Sequence, residues 1–448
     1  KMFLRLKSYL QTVSKLEIGN QIFLYGIFFL PSTSVIGLIL LFFALIISIG
    51  KFKNSILRDG WNYPFLISIG LIISSTLNIV FFNSPYLLES FDTKIIWFNV
   101  MKWLILIICF LGFQNYLDSN NKRSFFSKFL IAGTLPVILS CFLHKFFWNE
   151  GPYQILNGLI VWFQKPLSET GGISGLFSNV NYTGMWLGLS LPFCIALARL
   201  EKVRLYKIIL FTLILFFSYF ILETNSRNAY LSLVLGLTFL IKFRYAIIFM
   251  LIQFSLIIFS KFIEIRNINI FGINFNFPLF KIIESISSLS INSKDSRLMV
   301  YKEAISLVKE RPFSGWGAST FNFNITNNNL NNLDILKVNP FHTHNLPLEL
   351  AYNFGIPLAL IIVTTSIIIL FMSIKKLYKY KFNKEEFLIN KAWITSILII
   401  MITHLFDVTF YEDRIGIIIC IFFSGLRCII KEKNYRIKKN LDQSFYNL

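Results

Sequence analysis

Acidic residues and cysteines are both scarce in this sequence. Only 23 Asp and Glu stand against 43 Lys and Arg in 448 residues, which gives a formal net charge of +20. The five cysteines lie in apolar stretches without CxxC spacing, which indicates small core side chains rather than disulfides or zinc ligands. An internal repeat is also not evident, which weakens the case for a transporter built on inverted halves.

Long apolar runs are abundant instead. Hydrophobic residues make up 55% of the chain, and the mean hydropathy is +0.62. Apolar runs of roughly 17–25 residues recur, as helices that cross a bilayer require. We therefore predict a polytopic membrane protein with the lipid bilayer as its surroundings. The first apolar run is expected to be a retained span, since no cleavable signal peptide is evident.

The basic residues are spaced between the apolar runs. Every predicted inner loop carries at least two Lys or Arg, in agreement with the positive-inside rule. This spacing accounts for the net charge without nucleic acid as a partner. The pattern predicts about twelve helices with both termini in the cytoplasm. The predicted spans are residues 21–30, 34–50, 63–82, 96–113, 130–147, 182–200, 208–222, 229–241, 245–260, 346–374, 393–410 and 415–430.

The longest polar segment, residues 261–345, is predicted to lie on the outer face. Within it, residues 295–310 have the pattern of an amphipathic helix, with Asp295 as its cap and Pro312 as its stop. The residues of its apolar face are Leu298, Tyr301, Ile305 and Val308. The asparagine-rich run 322–332 is expected to be a mobile loop.

Two of the four histidines, His342 and His344, stand where this segment meets the next apolar run. Histidine suits proton transfer because its ordinary pKa lies nearest neutrality. An alternative of about equal weight is a polar helix start capped by Thr343 or Asn345. Glu349 either orients the imidazole of His344 or lies favourably in the dipole of that helix start. A zinc site needs a third ligand near the two histidines, and none is apparent, so no metal is predicted.

Two arginines are predicted to face the same compartment as His344. Arg227 stands at a helix mouth and Arg297 opens the amphipathic helix. Guanidinium groups match phosphate and can stabilise a diphosphate leaving group without a metal. The alternatives are a snorkelling charge for Arg227 and a solvated helix charge for Arg297. Asn181 joins the same site or simply belongs to a helix start, and Asp407, near the outer end of a span, is either functional or an interhelical hydrogen-bond partner.

Four short motifs, kept in order along the chain, resemble the O-antigen ligase and O-antigen polymerase superfamily. They are Gly175–Asn181, Thr224–Arg227, Arg297 with Tyr301 and Pro312–Gly317, and His344–Asn345 followed by Gly355. Two positions depart from the pattern of that superfamily. Leu358 stands where a second small or hydroxyl residue is usual, and Tyr301 stands where Trp is common. The resemblance covers roughly residues 165–430.

The resemblance implies an all-α polytopic, GT-C-like fold of about 12 transmembrane helices, with one large periplasmic loop between late helices. Residues 1–164 would form N-terminal transmembrane helices, and residues 165–430 would form the catalytic region, including the loop 261–345. Residues 431–448 would be a basic cytoplasmic tail. The expected location is the bacterial inner membrane, with the active site on the periplasmic side.

The resemblance also implies a reaction. A glycan would move from undecaprenyl diphosphate to a hydroxyl of a glycan or lipid A–core acceptor, with inversion and without a metal or cofactor. His344 would be the base, and Arg227 and Arg297 would hold the diphosphate. The predicted substrate-binding residues are Asn345, Asn181, Glu349 and His342. Ligase, polymerase and protein O-glycosylation all stay open, because the acceptor surface varies among such enzymes.

The competing prediction is a polytopic transporter or channel. Transporters usually carry ionisable residues or broken helices near the bilayer midplane. Here the candidate residues cluster at the outer ends of spans, and Lys102 is the main exception, which a snorkelling side chain would explain. Glycosyl transfer is therefore the preferred prediction.

The alternation of basic loops makes the topology testable with fused reporters. Tags after Lys53, between Arg204 and Lys207, or after Lys433 should be cytoplasmic, and a tag near Asn328 should be periplasmic. Accessibility of each tag to a membrane-impermeant label measures this. A cytoplasmic signal at Asn328 would contradict the predicted side of the site.

Overall fold

The computed structural model describes residues 13–82, 93–241, 296–328 and 341–432, with short pieces at 245, 247–248, 268–270 and 273–275. Helices account for 78% of the residues that the structure describes. Eight of the described helical segments are long and apolar enough to cross a membrane. The predicted all-α polytopic membrane protein is thereby confirmed in its class.

The helices differ widely in length. They are α1 (Ile18–Phe29), α2 (Ser34–Leu57), α3 (Tyr63–Leu77), α4 (Thr93–Gly112), α5 (Asn120–Phe146), α6 (Leu167–Thr170), α7 (Val180–Leu200), α8 (Arg204–Glu223), α9 (Arg227–Leu240), α10 (Ser296–Glu310), α11 (Phe321–Asn328), α12 (Leu346–Phe354), α13 (Ile356–Lys379), α14 (Lys384–Thr403) and α15 (Asp413–Lys431). Two antiparallel hairpins pair β1 (Tyr153–Ile155) with β2 (Ile160–Trp162) and β3 (Ile268–Ile270) with β4 (Ile273–Phe275). The hairpins are small additions to a helical protein.

The expected count of about twelve spans is larger than the eight segments that meet the length and composition criteria. Helices α1 and α9 have 12 and 14 residues. At 1.5 Å per residue they reach roughly 18–21 Å, less than the ~30 Å hydrocarbon core. Most of the predicted span 245–260 lies outside the described residues. The described part of the chain therefore supports the class of the fold and not the count.

Helices α7 and α14 form the centre of the bundle. Trp186 on α7 and Trp393 on α14 are completely buried. The Trp393 ring meets Phe193 of α7 edge-on at 5.4 Å and Phe126 of α5 at 4.8 Å between ring centroids. Large aromatic side chains bury much apolar area and add a geometric preference to the packing. This core fixes the positions of the ends of α7 and α14, where the polar candidate residues lie.

The predicted span 346–374 is wrong as a single helix. Gly355 separates α12 from α13 and has a φ of +94°, a conformation that side-chain-bearing residues rarely adopt. A Cβ atom at Gly355 would lie 2.2 Å from the carbonyl oxygen of Phe313. The backbone N–H of Ile356 donates to Pro312 O at 2.7 Å, so the outer segment packs directly against the break.

The run 322–332 is also not a mobile loop over its first part, because Phe321–Asn328 forms α11. Tertiary contacts outweigh the weak helix propensity of asparagine here. Phe321 is completely buried and meets the Tyr352 ring edge-on at 4.9 Å, while Asn324 donates to the Tyr352 hydroxyl at 2.7 Å. Residues 329–332 lie outside the described part of the chain.

Two further helix boundaries bear on the site. Helix α10 covers residues 296–310, as predicted, while its predicted cap Asp295 lies outside the described residues. The predicted apolar face is wrong in part, because Leu298 and Ile305 are exposed. The buried residues of α10 are Val300, Ala304, Leu307 and Val308. The predicted span 393–410 ends earlier, because α14 stops at Thr403 and a turn follows it. That turn carries Asp407. Lys102 of α4 forms an ion pair with Asp413 at the start of α15, at 3.1 Å.

Candidate active site

A chain of hydrogen bonds joins the starts of three helices and the turn after α14 at one side of the bundle. The Ser226 hydroxyl, at the start of α9, donates to Asn181 Oδ1 at 2.7 Å. Asn181, in the first turn of α7, donates through Nδ2 to Asp407 Oδ2 at 2.7 Å. Asp407 Oδ1 lies 3.1 Å from Nδ1 of His344, just before α12. We call Ser226, Asn181, Asp407, His344 and His342 the polar cluster.

Asp407 is the buried anion of the polar cluster. Its residue exposure is 5%, and Oδ1 also accepts the backbone N–H of Val408 at 2.9 Å. Burial by itself raises the pKa of the Asp407 carboxyl, but the hydrogen bond with His344 and the nearby charges of His342, His344 and Arg297 leave that pKa below its ordinary value. The carboxylate therefore stays ionised at neutral pH.

An ionised carboxylate fixes the tautomer of His344. A carboxylate has only acceptor atoms, so Nδ1 of His344 must carry the hydrogen that lies between the two groups. In the neutral ring Nε2 then has a free lone pair and can accept a proton. This is the protonation pattern that a general base needs, with the carboxylate stabilising the imidazolium that forms.

The backbone of His344 is held in an unusual conformation. Its φ is +54°, in the left-handed region. The Tyr301 hydroxyl, from α10, donates to His344 O at 3.3 Å, and the preceding Thr343 N–H donates to Glu349 Oε2 at 2.9 Å. Asn345 is the cap of α12, because its Oδ1 accepts Leu348 N–H at 2.9 Å. The capping alternative is thus confirmed for Asn345, next to a histidine whose ring points at a carboxylate.

Glu349 bonds to the backbone of the loop that carries His342 and His344, and not to the ring of His344. The residue is 1% exposed, and Oε1 accepts from Asn353 Nδ2 at 3.1 Å and from the Tyr411 hydroxyl, while Oε2 accepts from Thr343. It also lies in the first turn of α12, where the helix dipole favours an anion. Asp407, and not Glu349, lies against the imidazole.

His342 packs beside His344 and is half-buried. Its ring stacks on Tyr411 at 5.7 Å and meets the His344 ring at 4.3 Å, and its Nδ1 accepts the His344 backbone N–H at 3.3 Å. Burial lowers the pKa of His342, and the adjacent His344 lowers it further. The ring is therefore neutral at pH 7.

The structure brings Arg297 near the polar cluster, where its charge lowers the pKa of Asp407. Its Nη1 donates to Asn228 Oδ1 at 3.3 Å, which connects α10 with the start of α9. Arg227 is the first residue of α9, directly after Ser226, and is partly exposed. The alternative of a fully solvated charge does not fit Arg297, because it is partly buried and bonded across to another helix.

Sequence reasoning missed two connections. Ser226 is predicted only as part of the Thr224–Arg227 motif, and Tyr411 is not predicted at all, because neither position has a local signal for its role. Asp407 was recognised as polar, but its partners lie 63 and 226 residues away in the chain. Asn181 and Asn345 both use their side chains in hydrogen bonds within the protein, so their roles toward substrate stay predictions.

The expectation that no third metal ligand lies near the two histidines is wrong. His342, His344 and Asp407 place ligand atoms within 4.8 Å of one another. Two imidazoles and a carboxylate are a donor set that suits zinc. The fold supplies the third group from a distant part of the sequence.

A family model described as O-antigen ligase matches residues 210–363. This match supports the resemblance of the chain to the O-antigen ligase and polymerase superfamily. No curated protein matches the chain. The O-antigen ligase match includes Arg227, Arg297, His342 and His344, while Asn181 and Asp407 lie outside it. The fold joins those two residues to the matched region.

The two histidines should differ in their importance. His344→Ala removes the ring that Asp407 orients, so transfer should fall about 10²–10⁴-fold while expression and membrane insertion persist. His342→Ala should be milder. Transfer in membranes from a deletion strain, normalised to protein level, measures both. An active His344→Ala together with an inactive His342→Ala would reverse the assignment.

Asp407→Asn should also lower transfer, by about 10²–10⁴-fold. The amide keeps the size of the side chain but no longer selects the tautomer with Nδ1–H, and it no longer stabilises an imidazolium. Asp413→Asn is the matched control, since Asp413 is a largely exposed carboxylate in an ion pair with Lys102. Equal activity of both variants would show that Asp407 has only a structural role.

Proposed function

We propose that this protein transfers a glycan from undecaprenyl diphosphate to an acceptor hydroxyl on the periplasmic face, as a ligase or a polymerase. The family match supports a membrane glycosyltransferase of this type. The observation that carries the proposal is the Asn181–Asp407–His344 hydrogen-bond chain with Arg297 beside it. Together these residues offer a proton acceptor next to a cation.

In the proposed reaction, Nε2 of His344 takes the proton of the acceptor hydroxyl. The acceptor oxygen attacks the anomeric carbon as the bond from that carbon to the diphosphate oxygen breaks. The electron pair of the broken bond leaves with undecaprenyl diphosphate, and attack from the opposite side inverts the anomeric centre. Asp407 stabilises the imidazolium until its proton is lost to solvent.

Arg227 and Arg297 are proposed to hold the diphosphate. Negative charge grows on the leaving group as the glycosidic bond breaks, so fixed cations lower the barrier without a metal. A guanidinium has five N–H donors in a planar fork. The hydrogen bond from Arg297 to Asn228 orients the guanidinium group of Arg297.

An apolar cavity beside the polar cluster suits the lipid part of such a donor. Its volume is about 300 Å³, and its lining is almost entirely apolar. Leu346 and Pro347, two and three positions after His344, line it together with Leu405 and Phe410, on either side of Asp407. We propose that the first isoprenoid units enter here, so that the diphosphate lies at the cluster.

The polar cluster lies at the ends of helices and the family match points to transfer, so both favour this function over the transporter alternative.

Glycan analysis of a deletion strain separates the ligase from the polymerase. Unpolymerised single units on core lipid indicate a polymerase, and core lipid without glycan indicates a ligase.

Arg227→Lys and Arg297→Lys should both be strongly impaired. Lysine keeps the charge but loses the paired donors, and one lost donor to a developing anion costs about 10²–10³-fold in turnover. Donor binding should weaken less, because the charge on the diphosphate grows in the transition state. The measurement is transfer in proteoliposomes with purified lipid-linked donor.

The control for the arginine variants is Arg311→Lys. Arg311 stacks on Trp316 at 4.1 Å, outside the polar cluster. Near-normal rates for both Arg227→Lys and Arg297→Lys would show that these arginines act through their charge alone and not through paired donors. A wild-type rate that is lost with chelator would replace the arginine mechanism with a metal-based one.

A further inference from the structure

His342, His344 and Asp407 share a geometry that the proposed reaction does not need. A base and its orienting carboxylate are two groups, yet a second imidazole packs 4.3 Å from the first. The ligand atoms of all three residues lie within 4.8 Å of one another. His342 and His344 come from one loop, and Asp407 comes from the turn after α14.

One separation already matches a tetrahedral metal site. Zinc bonds of about 2.0–2.1 Å at tetrahedral angles hold two ligand atoms about 3.3 Å apart. Nδ1 of His344 and Oδ1 of Asp407 are already 3.1 Å apart. All three ligand atoms lie within 4.8 Å of one another, so no pair has to close by more than about 1.5 Å to reach that separation.

The surroundings of the three residues support a bound cation. Asn181 holds the second oxygen of Asp407, as outer hydrogen bonds commonly do for metal-ligating carboxylates. The His344 side chain is 28% exposed, which leaves room for entry and for a water as the fourth ligand. The positive charge of Arg297 repels a bound metal ion, and the negative charge of the Asp407 carboxylate offsets this repulsion.

We propose that His342, His344 and Asp407 form an inhibitory zinc site. The inhibition rests on the proposed function, whereas the binding does not. Zinc on Nδ1 of His344 leaves the single proton of the neutral ring on Nε2. The ring then has no lone pair for the proton of the acceptor hydroxyl, and Asp407 is no longer available to stabilise an imidazolium.

Zinc binding is tested directly on the purified full-length protein without a polyhistidine tag. Competition with a fluorescent zinc chelator gives stoichiometry and affinity. Wild type should bind one Zn²⁺, and His342→Ala and Asp407→Asn should each weaken binding at least about tenfold. Asp413→Asn should bind like wild type, and size-exclusion profiles check that every variant is folded.

Transfer assays then test inhibition. Zn²⁺ should inhibit wild type reversibly, with recovery on adding chelator, while Mg²⁺ at the same concentration should not, because it prefers oxygen ligands. His342→Ala should keep a measurable rate that is at least about tenfold less sensitive to Zn²⁺.

Each contrary result has a distinct meaning. Binding that is absent in wild type, or equal in wild type, His342→Ala and Asp407→Asn, overturns the zinc site. Binding at this site with uninhibited transfer overturns the inhibition. A protein that binds zinc at these residues but transfers no glycan supports the site while the proposed function fails.

Discussion

A buried carboxylate must find donors for its oxygens, and the Asp407 carboxylate finds them in separate parts of the chain. Asn181 donates from the start of α7, Val408 donates from the adjacent backbone, and His344 lies against Oδ1 from the loop before α12. Taking an anion out of water costs several kcal/mol unless such partners compensate. The compensation holds α7, α12 and the turn after α14 in one arrangement, so the polar cluster also fixes how these ends meet.

The outer segment is attached to the same arrangement through backbone groups. Trp316 N–H donates to Tyr352 O at 2.8 Å, and Gly317 N–H donates to Asn353 O at 3.0 Å, so the last carbonyls of α12 are satisfied from outside the helix. This is possible because α12 ends at Gly355 instead of continuing into α13. Helix α10 precedes this turn and carries Arg297 and Tyr301. Main-chain hydrogen bonds therefore hold Arg297 and the loop that carries His342 and His344 in fixed positions relative to each other.

The part of this design that is local in sequence was predictable. Apolar length gave the class of the fold, helical periodicity gave α10, and residue type identified Asn345 as a candidate cap. The break at Gly355 was not predictable from hydropathy, because apolar residues continue on both sides of it and the Phe313 backbone, which comes close to Gly355, is distant in sequence. Helix α11 and the partners of Asp407 depend on residues far apart in the chain. No local pattern reports such contacts, and asparagine-rich sequence suggested the opposite for α11.

The basicity of the Asp407 carboxylate decides whether the hydrogen between the two groups is bound to Nδ1 of His344 or to Asp407. A carboxylate buried without donors would be basic enough to take the proton from Nδ1 of His344, which would leave a neutral pair with little power to stabilise an imidazolium. The hydrogen bond with His344 and nearby charges, including that of Arg297, prevent this by keeping the Asp407 pKa below its ordinary value. The side-chain exposure rises from 7% at Asp407 to 28% at His344, so the anion is sheltered while the imidazole reaches the open side. Arg297 lowers the basicity of Asp407, and in the proposed reaction the same charge would attract the anionic diphosphate to this place.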